Sequence, residues 1–116
     1  MQFFEKPEEE ILEIANSIWD NLVAGSNEMD YEKISRHFSK KMLESVDEIN
    51  LKNQWETNEA LTSLSSRREY LACLRRGRVV TILWNQLSFK VQGDHLAVLK
   101  LKTENGEVKI CGATIT

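Results

Sequence analysis

The fold is decided by residues 79–103, which read VVTILWNQLSFKVQGDHLAVLKLKT. Two runs rich in β-branched and large apolar residues flank the turn signal Gly93-Asp94, as in two antiparallel strands joined by a hairpin. A sheet with one solvated face alternates between apolar and polar residues. Here the strand that begins at Val79 is apolar on both faces over its first half, and the strand after His95 repeats this feature. The pattern therefore predicts a sheet that is covered on both sides, and a second copy of the chain is the simplest cover for the side that helices do not reach.

The strong turn signals around this stretch predict a four-stranded antiparallel meander. Asn105-Gly106 between two apolar runs is typical of a two-residue type I′ hairpin, since both positions require positive φ. Gln92–His95 predicts a second hairpin and Arg76–Arg78 a third. The predicted strands are Glu69–Arg75, Val79–Val91, His95–Thr103 and Glu107–Thr116.

The first half of the chain has the 3.6-residue period of amphipathic helices. A first helix is predicted over Glu8–Ala24, ended by Gly25 at the C′ position. A second helix begins at a cap on Asn27 or Asp30 and runs to about Glu44. A third begins after Asp47, and Thr62–Ser66 is a connector. The prediction is a single α+β domain, with residues 1–66 mainly helical and residues 67–116 forming the sheet.

The composition is that of an ordinary globular domain. The 116 residues are 41 % hydrophobic and 28 % charged, and a chain of this length can bury a core without disulfides or metals. The net charge of −3 gives no global attraction to nucleic acid or to an anionic membrane. Neither a signal peptide nor a run of about 18 apolar residues for a membrane span is present. We therefore expect a cytoplasmic protein in which Cys73 and Cys111 are reduced.

This order of elements resembles the nuclear transport factor 2-like group, which shares the cystatin-like fold of the SnoaL-like polyketide cyclases and ketosteroid isomerase. The resemblance implies two to three helices on one face of a curved sheet, a pocket between them, and a homodimer formed through the open sheet face. The chain shows no strand pair between the second and third helices, which is a departure from the group. The segments that carry the resemblance are Ala15–Trp19, Asp30–Ile34 with His37–Ser39, Val79–Phe89, Leu96–Leu101 and Val108–Ile115.

A general base would distinguish a catalytic member of this fold from a binding one. The resemblance implies a carboxylate on a strand, where an apolar pocket raises its pKa towards neutrality. Asp94 lies at a predicted hairpin and Glu69 at the start of a strand between arginines. Neither is placed in a strand interior, which favours binding over catalysis.

The histidines and cysteines predict no metal site and no cofactor. His37 and His95 are the only histidines, and the His-x₃-His and Cys-x₂-Cys spacings of zinc ligands are absent. Arg75 and Arg76 follow Cys73 and would lower the pKa of an exposed thiol. Both cysteines alternate with core residues, however, so we expect them to be buried and inert.

Two groups of residues are candidates for ligand binding. Aromatic side chains on three different elements can converge between the helices and the sheet: Trp19, Trp55, Tyr70 and Trp84. Five basic residues within twelve positions form a candidate anion-binding rim: Arg67, Arg68, Arg75, Arg76 and Arg78. The alternatives are core packing for the aromatic group and, for the basic group, a solvated strand edge that discourages unwanted pairing.

The function predicted from these features is a small-ligand-binding or accessory module without evident catalytic residues. The expected partners are a second copy of the chain and a small apolar or anionic ligand, and neither a membrane nor nucleic acid is expected. Two alternatives stay open. One is a small isomerase- or cyclase-like enzyme of the same fold, and the other is a protein-interaction subunit that docks through the arginine-rich edge.

Overall fold

Four helices precede the sheet in a computed structural model, which describes residues 1–116. The first helix is long because its apolar residues form one continuous stripe, and Glu8, Glu9 and Glu10 in its first turn stabilise the positive end of the helix dipole. No helix combines the length and the apolar character that a membrane span requires. The helices are α1 (Glu8–Asn27), α2 (Tyr31–Ile34), α3 (Lys40–Ser45) and α4 (Glu48–Thr57), with short 3₁₀ turns at Phe3–Glu5, Ser35–His37 and Glu59–Thr62.

Gly25 lies inside α1, so the prediction that it ends the first helix is wrong. The helix continues to Asn27, and Met29 rather than Gly25 adopts positive φ after it. A Cβ atom on Gly25 would lie 2.6 Å from the backbone N of Ile34. The glycine is therefore required for the close approach of α2 to α1, not for a helix end.

The predicted second helix is broken at Phe38. Asp30 caps α2 by accepting a hydrogen bond from the Lys33 N–H, and Ser39 caps α3 in the same way from the Met42 N–H. Between the two helices, Phe38 forms an isolated parallel bridge with Ile110 of the sheet. This contact with the sheet replaces helical hydrogen bonds that local propensity alone would favour. The predicted third helix is confirmed as α4, which Asp47 caps through the Asn50 N–H.

The sheet is an open antiparallel meander in the order β1-β2-β3-β4, which confirms the α+β prediction. Asn105 and Gly106 both have positive φ, as a type I′ turn requires, and Gly77 has positive φ in the first hairpin. The second and third strands pair antiparallel, which confirms the second predicted hairpin, but the loop that joins them is longer than Gln92–His95 and spans residues 89–95. The strands are β1 (Leu64–Arg76), β2 (Val79–Ser88), β3 (Leu96–Glu104) and β4 (Glu107–Ile115).

β1 begins within the predicted connector because a helix side chain holds its first residue. The Asn27 carboxamide accepts a hydrogen bond from the Leu64 N–H and donates one to the Leu64 carbonyl, both at 2.8 Å. A side chain thus supplies both bonds that a neighbouring strand would supply.

The helices cover one face of the sheet and leave the other open. The covered face is fully buried and apolar, and its central residues are Val80, Ile82, Trp84, Ala97, Leu99 and Leu101. On the open face, Leu74, Leu87 and Leu96 are 37 %, 39 % and 43 % exposed. The apolar character of both faces, read from the sequence, is therefore real.

Charge is divided between the two halves of the chain. Residues 1–66 contain fourteen acidic and six basic side chains, a net charge of −8, whereas residues 67–116 contain four acidic and nine basic ones, a net charge of +5. The small net charge of the whole chain hides this asymmetry.

Candidate functional site

A cavity of about 250 Å³ lies between the four helices, the Glu59–Thr62 turn and the end of β4. Eleven of its sixteen lining residues are hydrophobic, and none is an Asp, Glu, Lys, Arg or His. Its inner part is formed by buried residues, and exposed uncharged polar residues lie at its opening. The lining residues are Trp19, Leu22, Ser26, Ile34, Phe38, Met42, Val46, Leu51, Gln54, Trp55, Asn58, Leu61, Ala113, Thr114, Ile115 and Thr116.

Trp19 forms the part of the wall that faces the sheet, and Trp84 lies behind it. Their ring centroids are 5.2 Å apart with the planes tilted by 34°. The Trp19 Nε1–H donates to Gln86 Oε1 at 2.8 Å, and Gln86 Nε2 donates to the Ser65 and Leu87 carbonyls. Trp19 and Gln86 are both fully buried, so this satisfied network fixes the orientation of the indole ring.

Trp55 approaches the cavity from α4 and is held by Ser26. The Trp55 Nε1–H donates to Ser26 Oγ at 3.1 Å, and the Ser26 hydroxyl donates in turn to the Leu61 carbonyl. The buried side chains in the wall carry three polar hydrogens, which are those of the Trp19 N–H, the Trp55 N–H and the Ser26 O–H. Because all three are already bonded, the inner cavity presents apolar surface to a ligand.

Tyr70 lies outside this cavity. It is exposed on β1, and its hydroxyl donates to Glu8 Oε1 at 2.7 Å. Partial burial and this hydrogen bond raise the pKa of Tyr70 to about 12. Of the four aromatic candidates, the structure therefore places Trp19 and Trp55 on the wall, Trp84 one layer behind it, and Tyr70 elsewhere.

Two of the five arginines in the candidate rim are bound to their own chain. The Arg68 side chain is only 9 % exposed, and its Nη1 lies 2.9 Å from Asp20 Oδ1. Its Nη2 donates to Asn16 Oδ1, and its guanidinium lies 5.4 Å from the centre of the Trp84 ring. Arg75 Nη1 donates to the Phe4 carbonyl at 2.8 Å. These two side chains attach the start of the chain and α1 to the edge strand.

The other three arginines are exposed and do not form one cluster. Arg67 lies near the start of β1, whereas Arg76 and Arg78 lie at the hairpin after it. Nine residues of extended chain separate Arg67 from Arg76, a span of about 30 Å. The geometry does not bring all five arginines to one small anion.

A different basic site lies beside the cavity. A groove of about 360 Å³ on the other side of the β4 edge contains two lysines, Lys41 of α3 and Lys102 of β3, and no acidic residue. The groove and the cavity share four wall residues, Met42, Val46, Ala113 and Thr114. Sequence reasoning missed this pair because 61 residues separate the two lysines and no local pattern connects them.

The remaining titratable candidates lie away from the cavity wall. Burial and the cations Lys109 and Arg36 lower the pKa of His37, and burial raises the pKa of the Cys73 and Cys111 thiols. The two cysteines are not bonded to each other. No three side chains of the His, Cys, Asp and Glu types come together in an arrangement that would hold a metal ion.

Comparison with known proteins identifies no relative of this chain. No family model matches it, and neither a curated protein nor a solved structure does. The resemblance to the nuclear transport factor 2-like group therefore stays a prediction that rests on the order of the elements.

Proposed function

We propose that this chain is a binding module that takes a small, largely apolar ligand into the cavity between its helices and β4. One observation carries the proposal: a cavity of about 250 Å³ whose buried wall is apolar and whose polar hydrogens are already bonded. Ligand sites are typically concave and mostly apolar, with a few polar groups near the opening. The general base that an enzyme of this fold needs would have to come from outside the sixteen lining residues.

The size of the cavity limits the ligand. A cavity of about 150 Å³ lined by apolar side chains holds benzene. By proportion, about 250 Å³ holds about ten non-hydrogen atoms, which is the size of a medium-chain alcohol or a two-ring aromatic molecule. Octan-1-ol is therefore a suitable uncharged probe.

Isothermal titration calorimetry with octan-1-ol tests this proposal. Ala113 lies on the cavity wall, and Ala113→Leu adds a branched group there, so we expect octan-1-ol to bind the variant at least about tenfold more weakly, a loss of about 1.4 kcal/mol. Lys52→Leu is the control, because Lys52 is exposed on α4 and lies outside the cavity wall and the open sheet face, so we expect this variant to bind octan-1-ol as the wild type does. Equal affinity in Ala113→Leu and the wild type, with both folded by circular dichroism, would overturn the proposal, as would the absence of binding to the wild type.

We also propose that a second copy of the chain covers the open face of the sheet. The support is the apolar centre of that face, where Leu83 pairs with Val98 on one side and with Ala72 on the other, together with the exposed leucines at its margins. Such a homodimer agrees with the resemblance to the nuclear transport factor 2-like group.

Light scattering coupled to size-exclusion chromatography tests the dimer. Val98→Glu places a charge at the centre of the open face, so we expect a wild-type dimer and a Val98→Glu monomer. Lys52→Glu, an exposed position on α4, is the control and keeps the wild-type mass. A monomeric wild type at micromolar concentration would refute the dimer and leave the cavity proposal standing.

A further inference from the structure

Two adjoining hollows of opposite character meet at the edge of β4. The cavity described above is apolar, and the groove next to it is lined by Lys41, Lys102 and the hydroxyl-bearing Ser39, Ser45 and Thr114. Met42 and Val46 on the helical side and Ala113 and Thr114 on the strand belong to both hollows. The cavity and the groove therefore adjoin along these four residues.

The two lysines are not paired with acidic groups. The ion pairs of the protein are Lys33 with Glu28, Arg68 with Asp20, and Lys109 with Glu107. Neither Lys41 nor Lys102 takes part in them, and no acidic residue lines the cavity or the groove. The side chains that line the two hollows thus contribute two positive charges and no negative one, with Lys41 from the half of net charge −8 and Lys102 from the half of net charge +5.

From this juxtaposition we propose that the ligand is an anionic amphiphile, whose alkyl or aromatic part fills the cavity and whose acidic head group lies in the groove against Lys41 and Lys102. The inference rests on the proposed function, because it needs the cavity to be occupied. The two ammonium groups provide charge-assisted hydrogen bonds to a carboxylate or phosphate oxygen, and the exposed Thr114 hydroxyl is a further donor beside them. The buried wall of the cavity binds the apolar part and contributes no ionic contact.

The magnitude follows from the exposure of the lysines. Lys41 is exposed and Lys102 is partly buried, and ion pairs at such positions are weak because water screens them. Two of them together correspond to a change in affinity of about 2- to 30-fold. The contribution is screened by salt.

The test compares octanoate with octan-1-ol, which have the same alkyl chain, in the wild type and in a Lys41→Met/Lys102→Met double variant. At low ionic strength we expect the double variant to bind octanoate about tenfold more weakly than the wild type does and to bind octan-1-ol unchanged. Lys52→Met, on the exposed surface of α4, is the matched control and leaves both affinities unchanged. Raising the salt concentration is expected to weaken octanoate binding and not octan-1-ol binding.

The outcomes separate the two proposals. If octan-1-ol binds and octanoate affinity is the same in the wild type and the double variant, the head-group site is wrong and the cavity proposal stands. If neither compound binds the wild type, the cavity proposal itself fails. Acetate distinguishes a free anion from the head of an amphiphile: competition by acetate at the same concentration as octanoate would show an anion site that works without the cavity, and would overturn the inference.

Discussion

A single added methyl group tests the packing of α1 against α2. A Cβ atom on Gly25 would lie 2.6 Å from Ile34 N and 2.8 Å from Ile34 Cα. Ordinary van der Waals contact begins at 3.4 Å. The backbones of α1 and α2 would therefore have to separate by about 0.8 Å to accommodate Gly25→Ala. Because the obstacle is backbone, no rotation of a side chain relieves the overlap.

Two opposing effects set the size of the change in stability. Alanine in a helix interior is favoured over glycine by about 1 kcal/mol, and overpacking a dense contact costs about 1–3 kcal/mol. The overlap with backbone atoms places the cost at the upper end. We therefore expect Gly25→Ala to lower the free energy of unfolding by about 2 kcal/mol, which is a decrease in Tm of about 8 °C for a domain of this size.

Urea unfolding followed by tryptophan fluorescence measures this change. Ala24→Gly, one residue earlier in the same helix, isolates the propensity term and is expected to cost about 1 kcal/mol. Ile34 also lines the cavity, so Gly25→Ala is expected to weaken octan-1-ol binding as well. A variant as stable as the wild type, or more stable, would refute the close packing of the two helices.

Three further predictions follow from buried groups. Trp19→Phe leaves the fully buried Gln86 Oε1 without its hydrogen-bond donor, and we expect urea unfolding to show a free energy of unfolding lower by about 1–3 kcal/mol. Adding Gln86→Leu to this variant is expected to recover part of the loss, and strictly additive losses would contradict the network. Burial lowers the pKa of His37 below 6.5 in the folded protein, so the unfolded chain binds the proton more tightly and the protein loses stability as the pH falls from 6.5 towards the folded pKa. His37→Gln is expected to remove this part of the pH dependence. If the urea midpoint depends on pH below 6.5 in the same way in the variant, other groups cause the dependence. Burial raises the pKa of Cys73 and Cys111, so Ellman's reagent at neutral pH reacts more slowly with the folded protein than with the protein in urea, and equal rates would show accessible thiolates.

The strands and turns were the most predictable part of the fold. Asn105-Gly106 specifies its turn because positive φ at both positions is a local requirement. The apolar character of both faces of β2 is equally visible, because side chains alternate strictly along a strand. The helix caps at Asp30 and Asp47 could likewise be read from the residue types.

The errors concern positions where a distant part of the chain competes with a local preference. Phe38 leaves the helix because Ile110, 72 residues later, offers it a bridge. Gly25 stays inside α1 because Ile34 packs against it. β1 starts early because Asn27 bonds to Leu64. In each case the deciding partner is invisible to a periodicity argument.

The candidate site was only partly accessible from the sequence. The three tryptophans could be named as candidates because large aromatic residues on separate elements tend to meet in the core. Which of them reaches a cavity wall depends on how the helices cross the sheet. The arginines were prominent because they are close in sequence, yet Arg68 and Arg75 are bound to α1 and the N-terminal turn.

By itself, the sequence determined the α+β class, the antiparallel meander and the apolar character of both sheet faces. These follow from short-range rules, namely the period of side chains along a helix or strand and the φ values that turns require. Only the tertiary structure decided that the cavity exists, that Tyr70 is outside it, and that Lys41 and Lys102 line one groove beside it. Such features depend on distances between residues far apart in the chain, and those distances are set by the packing of all the elements at once.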